Sequence, residues 1–311
     1  MATFKKKFEI LGHGIHQGVP VKMVIKPRKT RGIVFHRVDI DKKFDIPAIY
    51  SNVGETKMRN TTIGEMSGAH VQTIEHLMAA LMLVGVDSAI IEIDGCETPI
   101  LDGSAYEFMK KFLEIGTVGP KLKRIIVKRE VVVTSGEAKK NVPFLERAKF
   151  WVLNKISGRK TSGYVKLMPN DGKSLNVTAT LVYPEKIIGS QTFSYCFDET
   201  KKSQNVFMRD VARARTFGKI SEWEYLKKHG MGRGANEHNV IALNAKGDGV
   251  LNKLCWTDEF VRHKVIDALG DMFTSGGIII GDLVSYKGSH ALNNLVLRKL
   301  FSDPDNYEIV E

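Results

Sequence analysis

The sequence predicts an α+β fold built as two similar domains, and three observations carry that expectation. Along residues 7–50 the apolar residues Phe8, Ile10, Val21, Met23, Ile25, Ile33, Phe35 and Val38 fall at near-alternate positions between Gly and Pro breaks, the mark of half-buried strands. Helical stripes follow, and the same order of strands then helices recurs after a break at Gly116–Pro120. At 311 residues the chain is longer than one ordinary core, so a division into 1–118 and 119–311 is expected. The recurrence is one of element order, with no residue-by-residue repeat.

Each element has its own reason. Ile74, Leu77, Met78 and Leu81 give an i, i+3, i+4, i+7 stripe, so Thr73 to Val84 should be helical. Ala89, Ile91 and Ile93 mark a short strand over Asp87 to Asp94. Ser104 to Glu107 has capping-box spacing; the helix it starts continues through Phe108, Phe112 and Ile115 and ends at Gly116. Beyond the break, Ile125–Val127, Glu130–Thr134, Gly163–Leu167 and Leu175–Tyr183 read as strands. Pro143 to Ile156 reads as a helix with Pro in its first turn, apolar on one side and carrying Arg147, Lys149 and Lys155 on the others. Two readings of it stay open, a helix on a membrane surface or a basic helix packed on its own domain. Ser221 to Glu224 is a second capping box, with Gly230 as its stop. Thr257 and Asp258 should cap a helix through Phe273, ended by Gly276 and Gly277, and a last helix is expected from Ala291 to Phe301.

Composition narrows the function. The chain is 43% hydrophobic, enough to bury cores. No apolar run approaches the ~20 residues of a membrane span. Met1 to Lys7 is basic but lacks the apolar stretch of a secretory signal, so a cytoplasmic protein is expected. Cys96, Cys196 and Cys255 are scattered, which argues against a disulfide framework or a cysteine zinc site. The net charge of +11 suits an anionic partner. Its lysines and arginines are dispersed and form no basic helix interleaved with aromatics, so no stable nucleic-acid partner is expected.

Chemistry gathers on two of the expected helices. His263 and Asp267 stand four residues apart, a spacing that lets one helix grip one metal ion. With Asp271 they form a polar stripe, and on this helix alone a stripe facing water is an equal reading. Upstream stands the dyad Glu75-His76, whose side chains point about 100° apart. One can bind metal while the other reaches water on it. His-Glu-x-x-His is absent, and the inverted motif would need a histidine where Gln72 stands. If His76 binds metal, its partners come from elsewhere, and His263 and Asp267 are the obvious donors. Taken alone, His76 is more simply a buried histidine with one hydrogen bond. His290 is a third imidazole downstream.

Seven stretches together resemble the UDP-3-O-acyl-N-acetylglucosamine deacetylases, the zinc amidases of bacterial lipid A synthesis. They are Gly12–Gly18, Thr73–Leu77, Ile100–Ala105, Ala214–Gly218, Asp258–Lys264, Asp267–Asp271 and His290–Asn294. The resemblance implies helix layers packed against each other between β-sheets, with an insert in each domain and an apolar acyl-chain passage near 205–235. It implies one Zn2+ per chain on His76, His263 and Asp267. Glu75 would be the general base, His290 the cationic acid or electrostatic partner, and Asp271 the group that orients His290. Thr216 would stabilise the oxyanion, and Phe217, Lys264 and His16 would contact substrate. The implied partner is UDP-3-O-acyl-GlcNAc, acted on by a monomer. The chain departs from the family pattern at Ser289, at Arg59 and Asn60, and in a longer stretch from Gly136 to Lys160. The first departure bears on the pose of His290 and the second on acyl-chain preference; the third could add a flap, a partner surface or a membrane contact. Two rivals remain at this point: an amidase for another acylated amino sugar, and a non-enzymatic binder of nucleotide sugar or nucleic acid.

Overall fold

A computed structural model describes residues 1–40, 45–54, 60–65, 68–140, 163–228 and 230–311, leaving aside the side chains at 139, 140, 224 and 225. The fold is mixed α/β with several sheets. A five-stranded sheet runs in the order Phe8–His13, Pro20–Pro27, Ser88–Ile93, Gly32–Arg37, Asp45–Pro47. Its first two strands alternate as the sequence predicts: Phe8, Ile10, Val21, Met23 and Ile25 are buried, while Glu9, Leu11 and Lys22 are exposed. The seven-stranded sheet is organised around Ile278–Tyr286, which pairs with Arg124–Val127, Tyr164–Met168 and Leu175–Val182. Val131–Thr134, Tyr307–Val310 and Ser190–Phe197 complete it.

Among the described residues the helices are α1 (Glu75–Leu83), α2 (Tyr106–Ile115), α3 (Ser135–Lys140), α4 (Lys201–Asp210), α5 (Ile220–Lys228), α6 (Glu259–Phe273) and α7 (His290–Leu300). None of them is long and apolar enough to cross a membrane. Every residue of α1 is buried, as expected of a helix apolar nearly all round. Each of its fully buried Leu and Met side chains contributes roughly 1.5–3 kcal/mol. Helices α1 and α6 pack directly on one another. Their backbones meet at Gly270, where a Cβ would fall 1.9 Å from the Glu75 carbonyl oxygen.

Several boundaries differ from expectation for local reasons. Helix α1 starts at Glu75, because Thr73 is left-handed at φ 60° and cannot be helical. Helix α2 starts at Tyr106, although Ser104 Oγ still accepts the Tyr106 N–H at 3.0 Å. The second capping box does not cap: α5 begins at Ile220, so Ser221 lies inside its first turn. Asp258 stands at the N-cap of α6 without a side-chain cap bond; its carboxylate takes the Arg262 guanidinium at 2.7 and 3.0 Å instead. Ser289 caps α7, accepting the Leu292 N–H, which moves the start to His290. The strands Ser190–Phe197 and Ile278–Tyr286 and the Thr200-capped helix α4 were not foreseen. The expected helix Pro143–Ile156 and Arg59 lie outside the described residues, as does most of Gly136–Lys160.

The contact at Gly270 is backbone against backbone, so a methyl group there cannot be absorbed by a side-chain rotation. Gly270→Ala should destabilise the protein by at least about 1–3 kcal/mol in urea unfolding. A change below ~0.5 kcal/mol would mean that α1 and α6 can slide apart freely.

Candidate active site and metal centre

The entrance to α1 is shaped before the helix begins. Thr73 is held in its left-handed conformation by a ring of hydrogen bonds. Its hydroxyl donates to Glu97 Oε1 at 3.1 Å and accepts from Asn60 Nδ2 at 2.9 Å, and its carbonyl takes the Thr98 hydroxyl. The next turn delivers Glu75 and His76, both buried, toward α6.

There the expected cluster assembles. His76 Nε2 and His263 Nε2 lie 3.5 and 3.4 Å from Asp267 Oδ1. The three side chains are buried, and Asp267 Oδ1 has no hydrogen-bond partner among the described residues. A tetrahedral zinc ion with bonds of about 2.0–2.2 Å holds its ligand atoms roughly 3.3–3.5 Å apart. The spacing and the orphaned carboxylate oxygen therefore fit such an ion. His263 Nδ1 faces the Ala214 carbonyl at 3.0 Å, so the ring N–H points there and leaves Nε2 as the atom that could bind an ion. Burial pushes the His263 imidazole down to about 3, and His76 and Lys264 add to the effect against the pull of Asp267. That keeps it neutral, as ligation requires. Burial opposes charge on Asp267, but the Lys264 ammonium 2.6 Å from Oδ2 holds its carboxyl well below the ordinary range.

The two groups expected to move protons flank this cluster. Burial raises the Glu75 carboxyl above its ordinary value despite the opposing pull of His290 and His76. Its Oε2 accepts the Thr61 N–H at 2.9 Å. His290 Nδ1 donates to Asp271 Oδ2 at 2.8 Å. Burial works against charge on His290 as well, yet the Asp271 carboxylate, helped by Asp267 and Glu75, outweighs it and lifts the ring to about 9. The two imidazoles are thus held in opposite charge states by their surroundings.

The remaining expected residues divide. Phe217 stands with its ring centroid 6.3 Å from that of His263 and 5.1 Å from that of Phe260. Lys264 Nζ is engaged with Asp267 and lies 5.8 Å above the Phe217 ring. Thr216 is half-buried, its backbone tied to Gly103 and Ile241, two residues after the Ala214 carbonyl that orients His263. His16 is anchored through its backbone N–H to the Glu97 carboxylate at 3.0 Å, and it takes the Arg233 N–H on its carbonyl. Glu97 therefore joins the His16 loop to Thr73 at the start of α1.

Three contributors were missed. Thr61 touches Glu75, Asp271 and His290 from a loop that has no periodic signal. Asn293 donates to Asp271 Oδ2 at 2.8 Å; its place three residues after His290 was a readable same-face spacing. Glu97 gave no sign of its role. A cleft lined by Thr180, Lys264, Asp267, Ser289, His290 and Asn293 opens onto the cluster.

Two imidazoles and a carboxylate converging on one point, with a buried carboxyl and a charged imidazole beside them, are the equipment of metal-assisted hydrolases. Known sequences agree. The family model described as UDP-3-O-acyl N-acetylglycosamine deacetylase matches residues 1–302, and the chain belongs to that family. Relatives named UDP-3-O-acyl-N-acetylglucosamine deacetylase include one from Pseudomonas entomophila, 36% identical over 99% of this chain and 92% of that protein. Another, from a Nitratiruptor species, is 36% identical over 99% of this chain and 93% of its own length. A third, from Colwellia psychrerythraea, is 32% identical over 99% and 92%.

The Asp271–His290 pair can be tested in metal-free protein. Asp271→Asn removes the largest charge opposing burial, so the His290 titration seen by NMR should fall from about 9 toward the ordinary imidazole value of ~6.5. A titration that stays near its starting point would assign the charge on His290 to another group.

Proposed function

We propose that this chain hydrolyses the acetamide of UDP-3-O-acyl-N-acetylglucosamine, releasing acetate, in the committed step of lipid A biosynthesis. The observation that carries the reading is the orphaned Asp267 Oδ1, 3.4 and 3.5 Å from two histidine Nε2 atoms, in a chain whose family match spans residues 1–302.

His76, His263 and Asp267 would hold one zinc ion. When bound, zinc would supply Lewis acidity and lower the pKa of the attacking water toward ~7. Glu75 binds Thr61 through Oε2, which leaves Oε1 to take the proton of the attacking water. Its raised carboxyl makes it a better proton acceptor than an exposed glutamate. His290 keeps Nδ1–H on Asp271 and turns Nε2 toward the cleft, 3.8 Å from Asp267 Oδ2. From Nε2 it stabilises developing negative charge and delivers a proton to the leaving amine. Thr216 adds a hydroxyl to the oxyanion site. Lys264, Phe217 and His16 contact substrate, and residues near 205–235 line an apolar passage for the acyl chain. The net charge of +11 favours approach of a diphosphate.

The same reading has the chain working as a cytoplasmic monomer of two similar domains, 1–118 and 119–311, with helix layers between sheets. The five-stranded sheet drawn from residues 8–93, the seven-stranded one drawn from 124–310, and α1 lying against α6 support that layout.

Purified protein should carry about one zinc per chain, and His263→Ala should lose it. Glu75→Ala should keep the metal yet lose about 10²–10⁴ in kcat. Chelation should abolish turnover of UDP-3-O-acyl-GlcNAc, and added zinc should restore it. Zinc-loaded protein inactive on this substrate would refute the proposal; activity only on the non-acylated sugar would reassign the substrate.

A further inference from the structure

Thr61 is buried in the loop ahead of α1 and touches three groups of the proposed chemistry. Its N–H donates to Glu75 Oε2 at 2.9 Å. Its hydroxyl donates to Asp271 Oδ1, and its Oγ1 lies 3.1 Å from His290 Nδ1. The carboxylate only accepts, so the hydroxyl proton points at Asp271 and an oxygen lone pair faces the imidazole N–H. That N–H already donates to Asp271 Oδ2 at 2.8 Å, where Asn293 Nδ2 also donates at 2.8 Å. Among the described residues Thr61 is the hydrogen-bond donor to Oδ1.

Glu75 comes from α1, Asp271 from α6 and His290 from α7. Each is carried by a separate element, and Thr61 reaches all three from a fourth segment. We propose that Thr61 is a positioning residue for deacetylation: its hydroxyl fixes the Asp271 carboxylate, which sets the His290 ring, while its backbone N–H holds the Glu75 carboxylate. Without the hydroxyl, Asp271 turns about its terminal torsion to find another donor. Oδ2 then leaves His290 Nδ1, and the ring swings away from the cleft. The backbone bond to Glu75 survives any side-chain substitution, so the two halves of the role separate. Thr61 does not reach remote parts of a substrate, so its loss falls on the chemical step rather than on binding.

This inference rests on the deacetylase reading of the site. Its test compares zinc-loaded wild type with Thr61→Val, which keeps the side-chain shape without the hydroxyl, and Thr61→Ser, which keeps the hydroxyl. The valine variant should lose roughly 10–100-fold in kcat, the range for removing a group that orients an active-site side chain. Its KM should stay within about twofold and its zinc content should be unchanged, and serine should recover most of the loss. The downfield Nδ1–H proton resonance of His290 should broaden or move upfield in Thr61→Val and return in Thr61→Ser. Wild-type kcat in the valine variant, a loss confined to KM, or an unmoved resonance would overturn the inference. If the valine variant does not fold, Thr61→Ala is held to the same outcomes. A wild type that does not turn over the acylated substrate would instead overturn the reading of the site, and the imidazole resonance would still report on Thr61.

Discussion

The contact of Gly270 with the Glu75 backbone is the constraint on which the site depends. Helix α1 brings the Glu75-His76 dyad, and α6 brings His263, Asp267 and Asp271. A residue without a Cβ at 270 lets α6 approach until backbone meets backbone, beside Glu75 and within one turn of Asp267. The apolar character of both helices follows from the same placement. Each is covered on nearly all sides, so Glu75 and His76 on α1 and His263, Asp267 and Asp271 on α6 meet in an enclosed site rather than on a wetted surface.

Within that enclosure, the atom opposite Nδ1 weighs most on the charge of each imidazole. His263 faces a neutral backbone carbonyl, so burial prevails and the ring stays uncharged at about 3. His290 faces a carboxylate, and the same burial is outweighed, giving about 9. One residue type in the same buried setting is thus held neutral at 263 and charged at 290, chiefly by the charge of its Nδ1 partner, with Asp267 and Glu75 adding to the effect on His290. Asp267 has a comparable division between its two oxygens. Oδ2 is occupied by Lys264, and Oδ1 is left for the point shared with His76 and His263.

Legibility followed the range of the interaction. The period-2 strands up to Arg37 and the stripes of α1, α2, α6 and α7 were readable, because burial of one face imposes a local pattern on the chain. The long strand Ile278–Tyr286 was passed over. It is buried from several sides as the centre of its sheet, so the alternation that reveals a half-exposed strand is weak at Ile278 to Ile280. Ser104, Ser221 and Asp258 show the limit of capping motifs. Each sits at or within two residues of a helix start, yet Asp258 gives its carboxylate to Arg262, and Ser221 is drawn into its helix.

By itself the sequence determined which residue types were available for chemistry, their spacing on single helices, and membership of a deacetylase family. These are properties of neighbours in the chain and of extended residue identity. Tertiary structure alone decided the distances at which His76 meets a pair almost two hundred positions away, that Asp267 Oδ1 has no hydrogen-bond partner among the described residues, and that Thr61 joins Glu75 to Asp271 and His290. The physical reason is that a hydrogen bond or ligand set between distant segments leaves no periodic trace. It exists only once two helices touch at a glycine and a left-handed Thr73 has turned the first of them toward the other.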